Sequence, residues 1–223
     1  MSRLVYGVVG ADGPAALGTG IDDRPLRSVR EGRLMAIVTD HDGPGPDPDA
    51  TTLDAYERTV QTLMESRAIL PAPFGRVLED DEDVRAMLRR RRRDLLARLD
   101  RVHGAVELGL SARWLGASDT SRDPRMETGV AYLRDRLEMR ESARRLASEL
   151  DPLTALARSI SRALSTRRDL PVLDAYLVDR GRVKEFVALV AELGDRLEGV
   201  ELVCTGPCPP YSFADGGVLR STP

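Results

Sequence analysis

Hydrophobic and polar positions change their period several times along the chain, and each period predicts an element. Apolar, largely β-branched residues fill 3–9 and 33–39, which predicts two buried strands. After Thr51, a residue type that caps helices, the apolar positions recur at helical spacing, so we expect a helix to begin there. A second, continuous helix is predicted over 81–101, and the proline-containing segment 68–78 between the two helices is expected to be extended and irregular.

The second half of the chain shows further strand-like and helical segments. Its alternating or β-branched stretches predict strands at 105–114, 172–178 and 199–204. Residues 182–197 carry apolar side chains at three- and four-residue spacing, which predicts an amphipathic helix.

Two Asp-Pro pairs mark predicted helix starts in this half. Asp123-Pro124 and Asp151-Pro152 each combine an acidic cap with proline, which suits the first position of a helix. We expect a long charged helix from the first pair to about residue 150. The second pair is expected to start another helix, whose apolar face comprises Leu153, Leu156, Ile160 and Leu164.

The order of these elements predicts the fold class. Strand, helices, strand, helix and strand in the second half fit a compact α+β sandwich of ferredoxin-like character with extra helices. The first half also mixes helix and strand. We therefore predict an α+β fold with two domains, an N-terminal one over 1–102 and a ferredoxin-like one with a C-terminal tail over 103–223.

Composition supports a globular protein and limits its partners. The chain of 223 residues is 42% hydrophobic and 31% charged, which suits a soluble protein with real cores. Its N-terminus has the pattern of a strand and lacks a signal-peptide pattern, so we expect a cytoplasmic protein. The net charge of −3 argues against a dedicated nucleic-acid binder.

Five consecutive arginines at 89–93 are the most conspicuous local feature. Guanidinium groups bind phosphates, but on one continuous helix five consecutive residues point all the way round the axis. Acidic residues also flank the run on both sides. We therefore interpret the run as a solvated helix with ion pairs, and not as a phosphate site.

The sequence contains few candidate catalytic or metal-binding groups. His41 and His103 are the only histidines, and no Gly-x-Ser-x-Gly motif accompanies them. Cys204 and Cys208 form a single C-x₃-C pair, whereas a zinc site needs about four ligands. We predict no catalytic residue, no cofactor and no metal, and hence not an enzyme.

Several segments, in this order along the chain, are similar to one known family. The most specific are the Leu-Pro and Phe-Gly element within 68–77 and the tail Thr-Gly-Pro-Cys-Pro-Pro-Tyr-Ser-Phe at 205–213. Further matching segments are 4–9, 106–110, 129–136 and 175–178. Together they make the chain resemble the GvpL/GvpF gas vesicle proteins from about residue 3 to residue 213.

This resemblance implies a two-domain α+β accessory protein that is needed to form gas vesicles and is associated with them. It also implies contact with the small hydrophobic shell protein and with other gas vesicle assembly proteins, without a lipid membrane and without a cofactor. The alternative from another class is a nucleotide- or nucleic-acid-binding regulatory protein, which a ferredoxin-like domain and the arginine run would permit.

A shielding role suggests where partners bind. An apolar shell subunit would aggregate before assembly, and a soluble partner would prevent this through an exposed sheet edge or the groove between the domains. Phe74, Tyr211 and Phe213 are the candidate partner contacts. The competing interpretation is that these aromatic residues, and the prolines beside them in the sequence, only fix the tail to the body of the protein.

Overall fold

The computed structural model describes residues 1–12, 18–115, 129–164 and 170–214. It divides into two compact units. The first comprises Met1–Ala105 together with the segment that begins at Cys208, and the second comprises Val106–Pro207. The sequence-based boundary near residue 102 remains a proposal. The prediction grouped the tail with the C-terminal domain, whereas the tail from Cys208 groups with the first unit, because its short helix packs there.

The first unit consists of an antiparallel sheet and four helices. Its elements are β1 (Ser2–Gly10), β2 (Arg27–Glu31), β3 (Leu34–His41), α1 (Ala50–Ser66), β4 (Ile69–Pro71), β5 (Val77–Leu78), α2 (Asp81–Arg90), α3 (Arg92–Val102) and, from the tail, α6 (Tyr211–Ala214). The sheet order is β2-β3-β1-β4, and β5 also pairs with β1. The two apolar strands predicted from the sequence are confirmed as β1 and β3.

Strand β1 is the centre of this sheet. It pairs with β3 along its whole length, and the register shifts between Val5 and Gly7, so that Tyr6 lies at a bulge. Its residues from Leu4 to Val9 are buried. A strand that is buried on both faces is expected to be apolar throughout, as this one is.

The first helix begins earlier than the sequence suggested. Its N-cap is Asp49 and not Thr51, and the Asp49 carboxylate accepts the backbone N–H of Thr52 at 2.9 Å. Asp and Thr are both good caps, but only a cap at Asp49 places the helix start at Ala50. The hydrogen bond lowers the pKa of Asp49, because it favours the ionised carboxyl.

The predicted continuous helix over 81–101 is wrong, because two helices, α2 and α3, meet at Arg91. Arg91 has φ −103° and ψ 10°, outside the helical range. Its N–H still bonds to the Met87 carbonyl at 3.2 Å, so the chain bends without losing that hydrogen bond. No apolar side chain lies in 89–94, so the bend costs no core contact there.

The second unit has a four-stranded sheet with the order β7-β8-β6-β9. Its elements are β6 (Ala105–Trp114), α4 (Gly129–Glu149), β7 (Ala157–Leu164), β8 (Val172–Asp179), α5 (Val183–Arg196) and β9 (Val200–Cys208). The predicted strands, the amphipathic helix and the long charged helix are confirmed, and β9 extends four residues further than predicted. Asp123-Pro124 lies outside the described residues.

The helix predicted from Asp151-Pro152 is wrong beyond Leu156. Residues Asp151–Leu156 form a 3-10 helix, and β7 follows and pairs antiparallel with β8. The apolar positions 156, 160 and 164 are four residues apart, a spacing that keeps side chains on one face of a helix but also on one face of a strand. The segment forms a strand and not a helix because it pairs with β8.

One hydrophobic core fills the second unit. Leu108 and Leu110 of β6, Tyr176 of β8 and Phe186 of α5 are fully buried in it, and the Tyr176 and Phe186 rings lie 5.0 Å apart. The order β-α-β-β-α-β agrees with the mixed α+β prediction. The assignment to the ferredoxin-like type specifically remains a prediction.

Candidate functional site

Three aromatic rings pack in series in the first unit. Tyr6 of β1 stacks on Tyr56 of α1 with ring centroids 5.0 Å apart and planes at 18°. Phe74 meets the edge of Tyr56 at 5.3 Å and 84°. Aromatic pairs of these geometries contribute about 0.5–1.5 kcal/mol beyond the area they bury. We call Tyr6, Tyr56 and Phe74 the aromatic cluster.

The two tyrosine hydroxyls of the cluster bond to backbone. Tyr56 donates to the carbonyl of Ala72 at 2.8 Å, and Tyr6 accepts the N–H of Ile21 at 2.9 Å. Burial raises the pKa of both tyrosines, and the nearby Tyr211 and Tyr6 hydroxyls raise the pKa of Tyr56 further. Both groups are therefore neutral at physiological pH, and they act as structural hydrogen-bonding groups.

Phe74 lies in a crossing that is fixed on both sides. The Ala72 N–H donates to the Tyr6 carbonyl, and the Val5 N–H donates to the Arg76 carbonyl, each at 2.9 Å. Gly75 has φ 74°, which favours glycine at this turn. The segment predicted to be irregular therefore contains β4 and ordered turns, and Phe74 is half-buried.

The other two predicted contacts lie on α6 in the same unit. Phe213 is buried, with 6% exposed, whereas Tyr211 is 36% exposed. Helix α6 is tied to α3, because the Arg98 guanidinium donates to the Ala214 carbonyl at 3.3 Å. Helix α6 also packs against β4, which precedes the segment that carries Phe74.

Cavities of the first unit include two that border α1 or α6. One, of about 40 Å³, has a mostly apolar lining that includes Leu70, Pro73, Met87 and Ala214. The other is an open cleft of about 470 Å³ between the turn Gly18–Asp23 and one side of α1. The first has room for about one water molecule, which is too small for an organic ligand.

A cluster of four charged side chains joins the sheet to the start of α2. Arg27 contacts Asp81 at 2.7 Å and Asp40 at 2.9 Å, and the Arg3 Nε donates to Asp81 at 2.5 Å. The hydrogen bonds from Arg27 and then Arg3 hold the pKa of Asp81 far below its usual range. The cluster is fully paired, so it ties β1, β2 and β3 to α2.

The histidines and cysteines are not assembled into a site. Within the described ranges, no group of three or more His, Cys, Asp or Glu side chains is placed to hold a metal ion. Cys204 and Cys208 are half-buried on β9 and form no disulfide, and burial raises the pKa of Cys204. The described helices include none that is both long and apolar enough to cross a membrane.

Strand β9 is a feature whose extent the sequence did not reveal. It forms an edge of the second sheet, and Glu201, Val203 and Thr205 are exposed along it. From Leu202 to its end it carries no charged side chain. Gly206 and Pro207 suggested that the strand ended at Cys204, which hid the length of this edge.

Comparison with known proteins identifies the family. The model of the gas vesicle synthesis protein GvpL/GvpF family matches residues 2–215. The chain belongs to the GvpL/GvpF family. Gas vesicle protein L of Streptomyces sp. (strain CB03234) is 32% identical over 87% of this chain and 85% of that protein. Gas vesicle protein F1 of Halobacterium salinarum is 25% identical over 82% of this chain and 78% of that protein.

Two crystal structures of GvpF share the fold of this GvpL/GvpF protein. The one from Microcystis aeruginosa has a TM-score of 0.78 at 17% identity and covers 96% of this chain and 98% of its own. The one from Anabaena sp. PCC7120 has a TM-score of 0.79 at 18% identity and covers 96% and 95%. The resemblance found in the sequence is confirmed. Family membership implies a role in gas vesicle formation and does not favour a nucleic-acid-binding regulator.

Proposed function

We propose that this chain is a non-enzymatic, cytoplasmic accessory protein of gas vesicle formation that binds the small hydrophobic shell protein before assembly. An apolar subunit with free strand edges aggregates unless these are covered. A soluble partner that pairs with such an edge would keep it in solution and release it to a growing vesicle. Contacts with other gas vesicle assembly proteins belong to the same proposal.

The observation that carries the proposal is the edge strand β9. A sheet edge offers unpaired backbone N–H and C=O groups, and an extended segment of another chain adds to it as a further strand. Charged side chains normally oppose such pairing. Beyond Glu201, β9 carries no charged side chain, and from Leu202 to Thr205 it also contains no proline, so this part of its edge suits an uncharged apolar strand.

The other sheet edges are less suited to this. Strand β2 carries Arg27, Arg30 and Glu31, and β7 carries Arg158 and Arg162. Strand β4 has only three residues and is covered by α3 and α6. Short or charged edges are the usual protection against strand addition.

The aromatic residues of the first unit are a second candidate contact. Phe74 is half-buried and Tyr211 is partly exposed, so both offer apolar surface to a partner. Phe213 is buried, and its part in this contact is to support Tyr211 from below. Serine at Phe74 should weaken shell-protein binding in a protein that still folds, whereas serine at Phe213 should lower the melting temperature.

Co-expression with the small shell protein of the same genome tests the proposal. We expect the shell protein to stay soluble and to co-purify with this chain. Val203→Lys places a charge on β9, where the side chain is 39% exposed, and should reduce the co-purified amount. Leu173→Lys is the matched control, because Leu173 is 43% exposed on the interior strand β8.

Two outcomes would contradict the proposal. If the shell protein aggregates equally with and without this chain, the shielding role is wrong. If Val203→Lys and Leu173→Lys retain equal amounts of shell protein, the edge of β9 is not the contact.

A further inference from the structure

Five exposed arginines of the first unit belong to one hairpin and one helix junction that are in contact with each other. The β2–β3 hairpin and the junction of α2 with α3 supply them: Arg30, Arg33, Arg90, Arg92 and Arg93. The Arg92 guanidinium lies 3.9 Å from the position that a Cβ on Gly32 would take, and the Arg30 Nε donates to the Gly32 carbonyl at 3.2 Å. We call these five residues the arginine patch.

The bend at Arg91 is what makes a patch from the arginine run. On a continuous helix the five consecutive guanidinium groups would surround the axis. Here the two helices change direction at Arg91, and Arg89 pairs with Glu31 of the hairpin at 3.2 Å. This ion pair joins the end of α2 to the hairpin, and the Arg92 guanidinium lies beside Gly32, so the exposed arginines lie on two neighbouring elements.

The arginine patch lacks counter-ions within the described residues. Arg89 pairs with Glu31 and Glu82, and Arg91 pairs with Asp94. None of the five patch residues forms an ion pair among the residues that the structure describes, although the chain as a whole has a net charge of −3. Positive charge is therefore concentrated on this surface of an acidic protein.

Helix stability does not account for the patch. Arg92 and Arg93 occupy the first turn of α3, where the helix dipole disfavours cations. The like charges of Arg92 and Arg30 are also held near the same glycine. Both features are electrostatically unfavourable for the fold. Residues that lower stability in this way are typical of a functional surface.

We propose that the arginine patch binds an acidic segment of a partner protein. Guanidinium groups pair with carboxylates through two parallel hydrogen bonds, and several exposed arginines on one surface suit a run of Asp or Glu. Charge complementarity also speeds and orients association. A nucleic acid fits less well, because the chain as a whole is acidic, with a net charge of −3.

The test uses the full chain and fluorescent synthetic peptides that tile the gas vesicle proteins of the same genome. The choice of peptides rests on the proposed function. The variant replaces Arg90, Arg92 and Arg93 with Gln. The matched control replaces Arg134, Arg140 and Arg144 with Gln, because these are exposed on α4 and remove the same charge. Melting temperatures of both variants should equal that of the wild type.

We expect the wild type to bind the peptides richest in Asp and Glu, with an affinity that falls as salt is added. The patch variant should bind them about tenfold more weakly, and the control should stay within about twofold of the wild type. The inference is overturned if no acidic peptide binds, if the patch variant binds as the control does, or if single-stranded DNA outcompetes every acidic peptide. Shell-protein solubility is measured separately, so failure of this inference is distinguishable from failure of the proposed function.

Discussion

The hydroxyl of Tyr56 donates to the carbonyl of Ala72 at 2.8 Å. This bond joins α1 to the crossing that carries Phe74. The same hydroxyl lies 3.2 Å from the Val5 carbonyl, so one side chain reaches both β1 and the crossing. Because all of these atoms are buried, the geometry of the Phe74 surface depends on Tyr56.

Tyr56→Phe should therefore destabilise the protein while keeping the ring. Removal of the hydroxyl leaves the buried Ala72 carbonyl oxygen without this donor, which costs about 1–3 kcal/mol of unfolding free energy. Urea unfolding at neutral pH measures it. Tyr211→Phe serves as the comparison, and because Tyr211 is 36% exposed, water can replace any partner that its hydroxyl loses and the cost should be smaller than at Tyr56. Equal losses in the two variants would contradict the role assigned to Tyr56.

Gly20 should not tolerate a side chain, because the Tyr6 ring fills the space beside it. A Cβ on Gly20 would overlap the Tyr6 hydroxyl and lie 2.7 Å from its Cζ. Gly20→Ala should cost about 1–3 kcal/mol through displacement of the Tyr6 ring. Gly10→Ala is the control, since nothing lies within 4 Å of a Cβ there. Thermal unfolding of both variants measures the difference in stability. A Gly20→Ala protein as stable as the Gly10→Ala protein would contradict the close contact between Gly20 and the Tyr6 ring.

Asp81 should make the protein sensitive to acid. Its folded-state pKa is lowered by Arg27 and Arg3, so its stabilising contribution is present above the unfolded pKa of about 3.9 and is lost as the pH falls below it. Asp81→Asn should destabilise by about 1 kcal/mol at neutral pH and much less at acidic pH. Urea unfolding at neutral pH and at acidic pH measures this difference. Asp42→Asn is the control, because Asp42 is exposed. A loss that is the same at both pH values would contradict the assignment.

Sequence patterns predicted the elements whose period was unambiguous. Strands β1, β3, β6 and β8 and helix α5 follow directly from alternation or helical spacing. Tyr56 lies on the apolar side of α1 and is buried there. What the pattern omitted was its hydrogen-bond partner, because Ala72 comes from a segment that only the tertiary fold brings near.

The errors arose where local signals fitted two structures. The spacing of Leu156, Ile160 and Leu164 fits both a helix and a strand. The segment forms strand β7 because it pairs with β8. Arg91 lies among polar residues, so no apolar pattern could record the bend. The arginine patch depends on that bend, which is why the sequence favoured a helix with its arginines distributed all round.

Asp174 should respond to pH in the opposite sense to Asp81. It is buried on β8 among Tyr176, which donates to it at 3.1 Å, and Arg162, whose Nε lies 3.5 Å away. Burial is the main cause that raises its pKa, and the Tyr176 hydrogen bond and Arg162 only partly offset it. One of its carboxylate oxygens has no hydrogen-bond partner among the described residues.

The sign follows from linkage. A carboxyl whose folded pKa is raised destabilises the fold when ionised, and this cost disappears as the pH falls through the folded pKa towards the unfolded value of about 3.9. The wild type should therefore gain stability relative to Asp174→Asn between neutral pH and pH about 4. Urea unfolding of both proteins across this range measures the difference. Asp195→Asn is the control, because Asp195 is exposed on α5 and lies outside the group of Asp174, Tyr176 and Arg162. A difference between wild type and Asp174→Asn that does not change with pH would show that Asp174 stays ionised, held so by Arg162 despite its burial.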